Sequence, residues 1–113
     1  MTFAHHNTQQ GVIVILAPPR LTVNVSGELK DIINEYITNG HYKIVVNLSS
    51  TRFMDSSGLG AIISFIEKLR DKKGDIRLAS PQKYIRDILE LTHINQVIKS
   101  YETESKAVDS FSA

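Results

Sequence analysis

The sequence predicts a single α/β domain with a mixed, mostly parallel sheet of four to five strands, packed by about four helices. Three observations support this fold class. The chain has 113 residues, a length that suits one domain with one core. Short apolar runs alternate with longer segments of helical spacing. Hydrophobic residues make up 42% and charged residues 22% of the chain, as in a folded globular protein. We therefore assign residues 1–113 to one domain.

Local signals predict the elements. Pro18 and Pro19 end a strand because proline has no N–H to donate to a sheet, and Asn39-Gly40 and Gly74 are typical helix C-terminal stops. The apolar run at 43–48 is typical of a central strand that is buried on both faces. The chain is predicted to begin with an antiparallel hairpin of strands at 2–6 and 12–16, after which residues 20–24 lead into a helix that ends near residue 38. A strand at 43–48, a helix at 57–73 and a strand at 75–79 follow. The last predicted elements are a helix that begins at 80–81, a segment at 94–98 that could be an edge strand, and a helix at 104–111.

The second helix is predicted as one continuous element. Its apolar residues mark a single helical face over 57–73, and they are Leu59, Ile62, Ile63, Ile66 and Leu69. The last residues, 109–113, are expected to fray because they end the chain in small and polar side chains.

The charges argue against binding to nucleic acid or to a membrane surface. The 13 basic and 12 acidic residues give a net charge of +1 and are scattered along the chain, so no strongly basic face is expected. A local cluster falls at the end of the second helix, where cations complement the helix dipole and stay solvated. It consists of Lys68, Arg70, Lys72 and Lys73.

Metal and redox chemistry have little support in the sequence. Cysteine is absent, which excludes disulfides and thiolate metal sites. His5 and His6 are neighbours on a strand and point to opposite faces, so no metal site is predicted there. The N-terminus lacks the pattern of a secretion signal, and no apolar run approaches the about 18 residues of a membrane-spanning helix. We therefore expect a cytoplasmic protein.

The segment Asp55-Ser56-Ser57-Gly58 lies where a buried strand passes through a short loop into an apolar helix. One interpretation is a helix N-cap, in which Asp or Ser accepts an N–H bond that is worth about 1 kcal/mol. A second is a phosphate site, because N-terminal amides and the helix dipole favour an anion. A nucleophilic serine would need a base, and none of the four histidines stands in a Ser-His-acid signature. We therefore predict no catalytic residue, and the first two interpretations stay open at this point.

Residues 44–60 resemble the signature of bacterial anti-sigma factor antagonists of the STAS-domain family. The matching features are a strand that ends in Asn-Leu, a short loop, and the sequence Phe-Met-Asp-Ser-Ser-Gly-Leu-Gly at 53–60, which opens a helix. The order of elements matches along essentially the whole chain. In that family the first serine after the aspartate is phosphorylated by a partner kinase that is also an anti-sigma factor, and a PP2C-type phosphatase removes the phosphate. The resemblance therefore implies a STAS fold with a phosphorylation site at Ser56.

The same resemblance implies a binding protein of a partner-switching signalling pathway rather than an enzyme. The unphosphorylated form would bind the kinase, and phosphorylation would block binding. Small residues at 57, 58 and 60 would let the partner approach closely, and helix N-terminal amides would receive the phosphate. We expect no cofactor, and a monomer or a weak dimer. The implied partner-binding residues are Thr22, Asn24, Asp55, Ser57, Gly58 and Leu59.

One position departs from the family pattern. Many members carry an aspartate in a Gly-Glu-Leu-Asp turn near the phosphorylated serine, whereas this chain has Thr22 there. The departure concerns the detailed contacts with a kinase and a phosphatase rather than the fold. It keeps open an alternative, in which the chain is a STAS-type ligand-binding or scaffold domain of a larger regulatory system without a sigma factor.

Overall fold

A five-stranded sheet forms the centre of the molecule. The computed structural model describes residues 2–112. The strand order is β1-β2-β4-β6-β7, in which β1 pairs antiparallel with β2 and all other neighbours are parallel. A separate two-stranded parallel sheet pairs β3 with β5. The strands are β1 Ala4–Asn7, β2 Ile13–Leu16, β3 Arg20–Leu21, β4 Lys43–Asn47, β5 Phe53–Met54, β6 Asp75–Ala79 and β7 Ser100–Tyr101.

Helices cover both faces of the sheet. Side chains of α1 to α4 join the larger hydrophobic core on one face, while α5 packs a smaller core on the other. The helices are α1 Val23–Thr38, α2 Ser56–Ile63, α3 Ile66–Arg70, α4 Lys83–Leu91 and α5 Glu104–Asp109, with 3₁₀ turns at Ile94–Gln96 and Ser110–Ser112. The predicted fold class, a mixed and mostly parallel α/β sheet with an N-terminal hairpin strand, is confirmed.

The alternation of side chains along the strands explains the two cores. Ile13 and Ile15 face the larger core, whereas Val12 and Val14 face α5. Residues 44–48 are all buried, because β4 lies between β2 and β6 and is covered on both faces. The predicted central strand is therefore confirmed.

The prediction of one continuous helix at 57–73 is wrong. The chain breaks at Ser64 and Phe65, between α2 and α3. The Ser64 hydroxyl donates to the Ala61 carbonyl at 2.8 Å, and the Phe65 N–H bonds to Ile62, three residues back. This tightened turn places Phe65, which is 5% exposed, in the core. The Phe65 ring falls outside the predicted apolar face, so the sequence pattern did not show the break.

The C-terminal part of the chain also differs from expectation in two places. The predicted edge strand follows the 3₁₀ turn, as β7, instead of lying at 94–98. Residues 109–112 are held in place rather than frayed, because Arg77 donates to the Ser110 hydroxyl at 2.7 Å and lies 4.0 Å above the centre of the Phe111 ring. Ala113 lies outside the described residues. No helix within 2–112 has both the length and the apolar character needed to cross a bilayer.

Candidate functional site

The small β3–β5 sheet brings together the two segments that the sequence singled out. Leu21 of β3 is the register partner of Met54 of β5, and the Asp55 N–H bonds to the Leu21 carbonyl at 3.3 Å. Helix α1 begins two residues after β3, and α2 begins two residues after β5. Because the two strands are parallel and adjacent, the N-termini of α1 and α2 lie side by side.

The Asp55 carboxylate bonds to the first turns of both helices. Its Oδ1 accepts the Gly58 N–H at 2.8 Å, and its Oδ2 accepts the Val23 N–H at 3.1 Å. The Gly58 bond is the main cause that lowers the pKa of the Asp55 carboxyl; partial desolvation opposes it, and the Val23 bond adds to the lowering. The carboxylate therefore stays ionised at neutral pH. Asp55 is the N-cap of α2, so the capping interpretation applies to Asp55 and not to either serine.

Ser56 is the first residue of α2 and is exposed, whereas Ser57 is half-buried. No hydrogen bond to the Ser56 hydroxyl is found within residues 2–112, and the capping bond of the helix is made by Asp55. The hydroxyl is therefore accessible to the active site of another protein. Asp55 occupies the Gly58 and Val23 N–H groups, so these two groups are not free to receive a phosphate on Ser56. A phosphate there would lie close to the Asp55 carboxylate, and its contact with the other amides of the helix end stays a prediction.

The two predicted contacts on α1 have different surroundings. Thr22 is the N-cap of α1 and is 9% exposed, and its side chain makes no capping bond. Its carbonyl accepts the Val25 and Ser26 N–H groups at 3.0 Å each, while Asp55 serves the Val23 N–H. Asn24 is exposed. Asp55 thus places a carboxylate at the N-terminus of α1, where the Thr22 side chain makes no capping bond.

Gly58 and Leu59 are buried beneath the surface that carries Ser56. A Cβ added at Gly58 would lie 2.1 Å from the Leu21 carbonyl oxygen, so glycine is needed for α2 to pack against β3. Leu59, at 8% exposed, belongs to the core. Glycine at position 58 therefore has an internal role, and its contact with a partner stays a prediction. Gly60 is exposed and has open space around its Cα, which agrees with close approach from outside.

Two exposed apolar residues flank this site, and the sequence analysis missed both. Val23 is 63% exposed at the start of α1, and Phe53 is 36% exposed on β5 with the Arg20 guanidinium 4.7 Å above its ring centre. Val23 directly follows the N-cap of α1, and Phe53 lies two residues before the N-cap of α2. In the sequence, a position close to a helix N-cap indicates only weakly that an apolar side chain is exposed. The exposure of Val23 and Phe53 becomes clear only from the packing of the two helix ends.

Histidines do not complete a catalytic group at Ser56 within residues 2–112. His5 on β1 pairs with the Tyr36 hydroxyl of α1, at the edge of the sheet. In the same range, no cluster of three or more His, Asp or Glu side chains is arranged to hold a metal ion. The chemistry at Ser56 thus rests on an accessible hydroxyl and an adjacent ionised carboxylate.

The profile of the STAS domain family matches residues 5–107. The chain belongs to the STAS domain family. The resemblance inferred from residues 44–60 is thereby confirmed.

Similar STAS proteins are named as anti-sigma factor antagonists. A Thermotoga maritima protein named as a candidate anti-sigma factor antagonist is 27% identical over 99 residues, which cover 85% of this chain and 88% of that protein. The crystal structure of TM1081 from the same organism has a TM-score of 0.88 with 25% identity and covers 98% of this chain and 95% of its own. The anti-sigma F factor antagonist of Paenibacillus polymyxa is 25% identical over 105 residues, 92% of this chain and 87% of that protein.

A further solved structure supports the fold alone. The anti-sigma factor antagonist SpoIIAA, in its unphosphorylated form, has a TM-score of 0.81 at 23% identity and covers 96% of this STAS chain and 94% of its own.

Proposed function

We propose that this STAS protein is a phosphorylation-controlled anti-sigma factor antagonist. Its unphosphorylated form binds a serine kinase of the anti-sigma type through the surface around Ser56, and phosphorylation of Ser56 blocks that binding. It acts as a binding protein rather than as an enzyme, in the cytoplasm, and a PP2C-type phosphatase restores the binding form. The single observation that carries the proposal is the exposed Ser56 hydroxyl beside an aspartate that already caps the helix.

The surface around Ser56 suits a partner only while the serine is uncharged. Val23 and Phe53 present exposed apolar area beside it, and Gly60 leaves room one turn along α2. A phosphate adds roughly −1.5 to −2 charges at neutral pH, next to the ionised Asp55 carboxylate. Burying the phosphate and the Asp55 carboxylate in an interface is unfavourable because both negative groups lose their hydration. The repulsion between like charges in an interface costs several kcal/mol in addition. The same surface therefore changes from binding to release without a change of fold.

The experiment compares Ser56→Ala and Ser56→Asp with the wild type. Each protein is incubated with ATP and the anti-sigma-type serine kinases of the same genome, phosphate is located by mass spectrometry, and affinity is measured by calorimetry. We expect phosphate on Ser56 of the wild type only. Ser56→Ala should bind like the unphosphorylated wild type, and Ser56→Asp should bind at least about tenfold more weakly, since about 1.4 kcal/mol corresponds to a factor of ten.

Ser57→Ala is the matched control, because Ser57 is the neighbouring serine but is half-buried. It should still be phosphorylated at position 56. Equal affinity of the wild type and Ser56→Asp for the kinase would contradict the switch. Phosphate found on Ser57 instead would contradict the assignment to Ser56.

A further inference from the structure

The edge of the molecule opposite Ser56 contains two clefts. Lys43 and Asp75, the first residues of β4 and β6, are register partners at this edge, whereas β5 and α2 follow the other end of β4. A cleft of about 470 Å³ lies between the end of α3, the start of β6 and the segment 95–99. A smaller cleft of about 220 Å³ is lined by residues 40–43 and 72–73, and residue 73 directly precedes Gly74 of the larger cleft.

Positive charge is concentrated in these two clefts. Six of the 13 lysines and arginines of the chain line them, and Asp75 is the one aspartate or glutamate among the lining residues. The larger cleft carries Arg70, Arg77 and Lys99, and the smaller one carries Lys43, Lys72 and Lys73. The near-neutral net charge of the chain therefore conceals a strongly basic edge, which attracts anions.

The two arginines of the larger cleft share one buried carboxylate, that of Asp75. The Asp75 side chain is 6% exposed, and its Oδ1 accepts Arg70 Nε while its Oδ2 accepts Arg77 Nε, both at 3.0 Å. Arg70 Nη2 also donates to the Val97 carbonyl at 2.8 Å. Arg77 Nη1 donates to Ser110 at 2.7 Å, and the guanidinium packs on the Phe111 ring. Both guanidinium groups therefore have defined positions, unlike those of ordinary surface arginines.

Donor capacity remains after these bonds. Within residues 2–112, the bonds described use two of the three nitrogens of each guanidinium, which leaves Arg70 Nη1 and Arg77 Nη2. One carboxylate cannot neutralise two guanidinium groups and the Lys99 ammonium. Arginines in fixed positions with spare N–H donors match the oxygens of a phosphate, which can accept several charge-assisted bonds.

We propose that the cleft between α3, β6 and residues 95–99 is a binding site for a phosphate group. Arg70, Arg77 and Lys99 contact the phosphate oxygens, and the lysines of the neighbouring cleft strengthen the attraction at a distance. The volume of about 470 Å³ exceeds that of inorganic phosphate, so the cleft has room for a phosphate monoester that carries a larger group. The site is separate from the Ser56 surface and does not depend on the proposed switch.

The test is a titration of the full chain with inorganic phosphate and with glucose 6-phosphate at constant ionic strength, followed by ¹H–¹⁵N NMR. We expect saturable shifts of the amides of residues 95–99 and 74–77. Arg70→Gln should weaken binding by about tenfold or more, the effect of losing one charge-assisted hydrogen bond. Lys99→Gln, at an exposed position, should weaken it also and is the variant least able to disturb the fold. Arg86→Gln removes an exposed arginine of α4 outside both clefts, and it should bind as the wild type does.

A second arm distinguishes a soluble phosphate ester from a lipid headgroup. Sedimentation with phosphatidic acid vesicles that is lost in Arg70→Gln would assign the headgroup, and binding of the soluble probes without sedimentation would assign a soluble ester. No saturation with either probe or with vesicles would overturn the site, as would equal affinity of the wild type, Arg70→Gln and Lys99→Gln. Ser56→Asp should bind phosphate normally, so failure of this site and failure of the switch are distinguishable.

Discussion

Gly58 and Gly60 lie two positions apart in α2, but their surroundings differ. A Cβ at Gly58 would collide with the Leu21 carbonyl of β3, whereas a Cβ at Gly60 would meet nothing within 4 Å. Glycine inside a helix costs about 0.5–1 kcal/mol relative to alanine, so each needs a reason. At Gly58 the reason is internal packing. At Gly60 nothing inside the chain requires glycine, which agrees with close approach of a partner.

Alanine at these two positions should therefore have opposite effects on stability. Gly58→Ala forces α2 away from β3 and should lower the free energy of unfolding by about 1–3 kcal/mol, as overpacking does. Gly60→Ala is the matched control and should raise it by about 0.5–1 kcal/mol, because alanine favours the helix. The free energy of unfolding of each variant is measured by urea unfolding, with circular dichroism as the signal. Equal effects of the two variants would contradict the packing of β3 against α2.

At the scale of elements, one side chain joins two helices. The Asp55 carboxylate accepts hydrogen bonds from the Val23 N–H of α1 and from the Gly58 N–H of α2. The Thr22 side chain makes no capping bond to α1. The carboxylate thereby fixes the relative positions of the two helix ends that surround Ser56.

This link predicts a pH dependence of stability. The pKa of Asp55 is lower in the folded chain than in the unfolded chain, so its contribution is complete above the unfolded value of about 4 and is lost as the pH falls through the folded value. Asp55→Asn cannot titrate. The difference in urea midpoint between the wild type and Asp55→Asn should therefore shrink below about pH 4. A difference that stays constant from pH 7 to pH 3 would show that the carboxylate charge is not involved.

The elements that could be predicted are those with long periodic patterns. The strands at β2, β4 and β6 and the helices α1 and α4 follow apolar runs or helical spacing, and the structure contains each of them. The two-residue strands β3 and β5 have no period to detect, and their pairing depends on the tertiary contact between Leu21 and Met54. The break at Ser64 likewise depends on a local side-chain bond. The sequence motif could locate Ser56, but not the exposure of Val23 and Phe53, which arises only when the helix ends meet.

At the scale of the whole molecule, positive charge is concentrated at the edge opposite Ser56. The Ser56 edge carries the ionised Asp55, apolar side chains and the Arg20 guanidinium, while the opposite edge carries six cations in two clefts. Arg70, Lys72 and Lys73 belong to the cluster at the end of the predicted second helix, whereas Lys43, Arg77 and Lys99 lie outside that cluster in the sequence. Parallel pairing of β4 with β6 brings their first residues to one edge. The five-stranded sheet separates this edge from the surface that phosphorylation would change.

Charge at Ser56 should therefore act locally while the fold stays intact. Ser56 is exposed and its hydroxyl supports no bond within residues 2–112, so Ser56→Asp should unfold at a urea midpoint close to that of the wild type. In ¹H–¹⁵N NMR spectra we expect shifts confined to residues 20–24 and 53–60, the segments that Asp55 and the β3–β5 sheet hold together. The amides of residues 74–77 and 95–99 should not shift, because they lie at the opposite edge. Ser56→Ala is the control for loss of the hydroxyl. Shifts spread across β4 and β6 would instead mean that the switch works by rearranging the sheet, and not by placing charge in a binding surface.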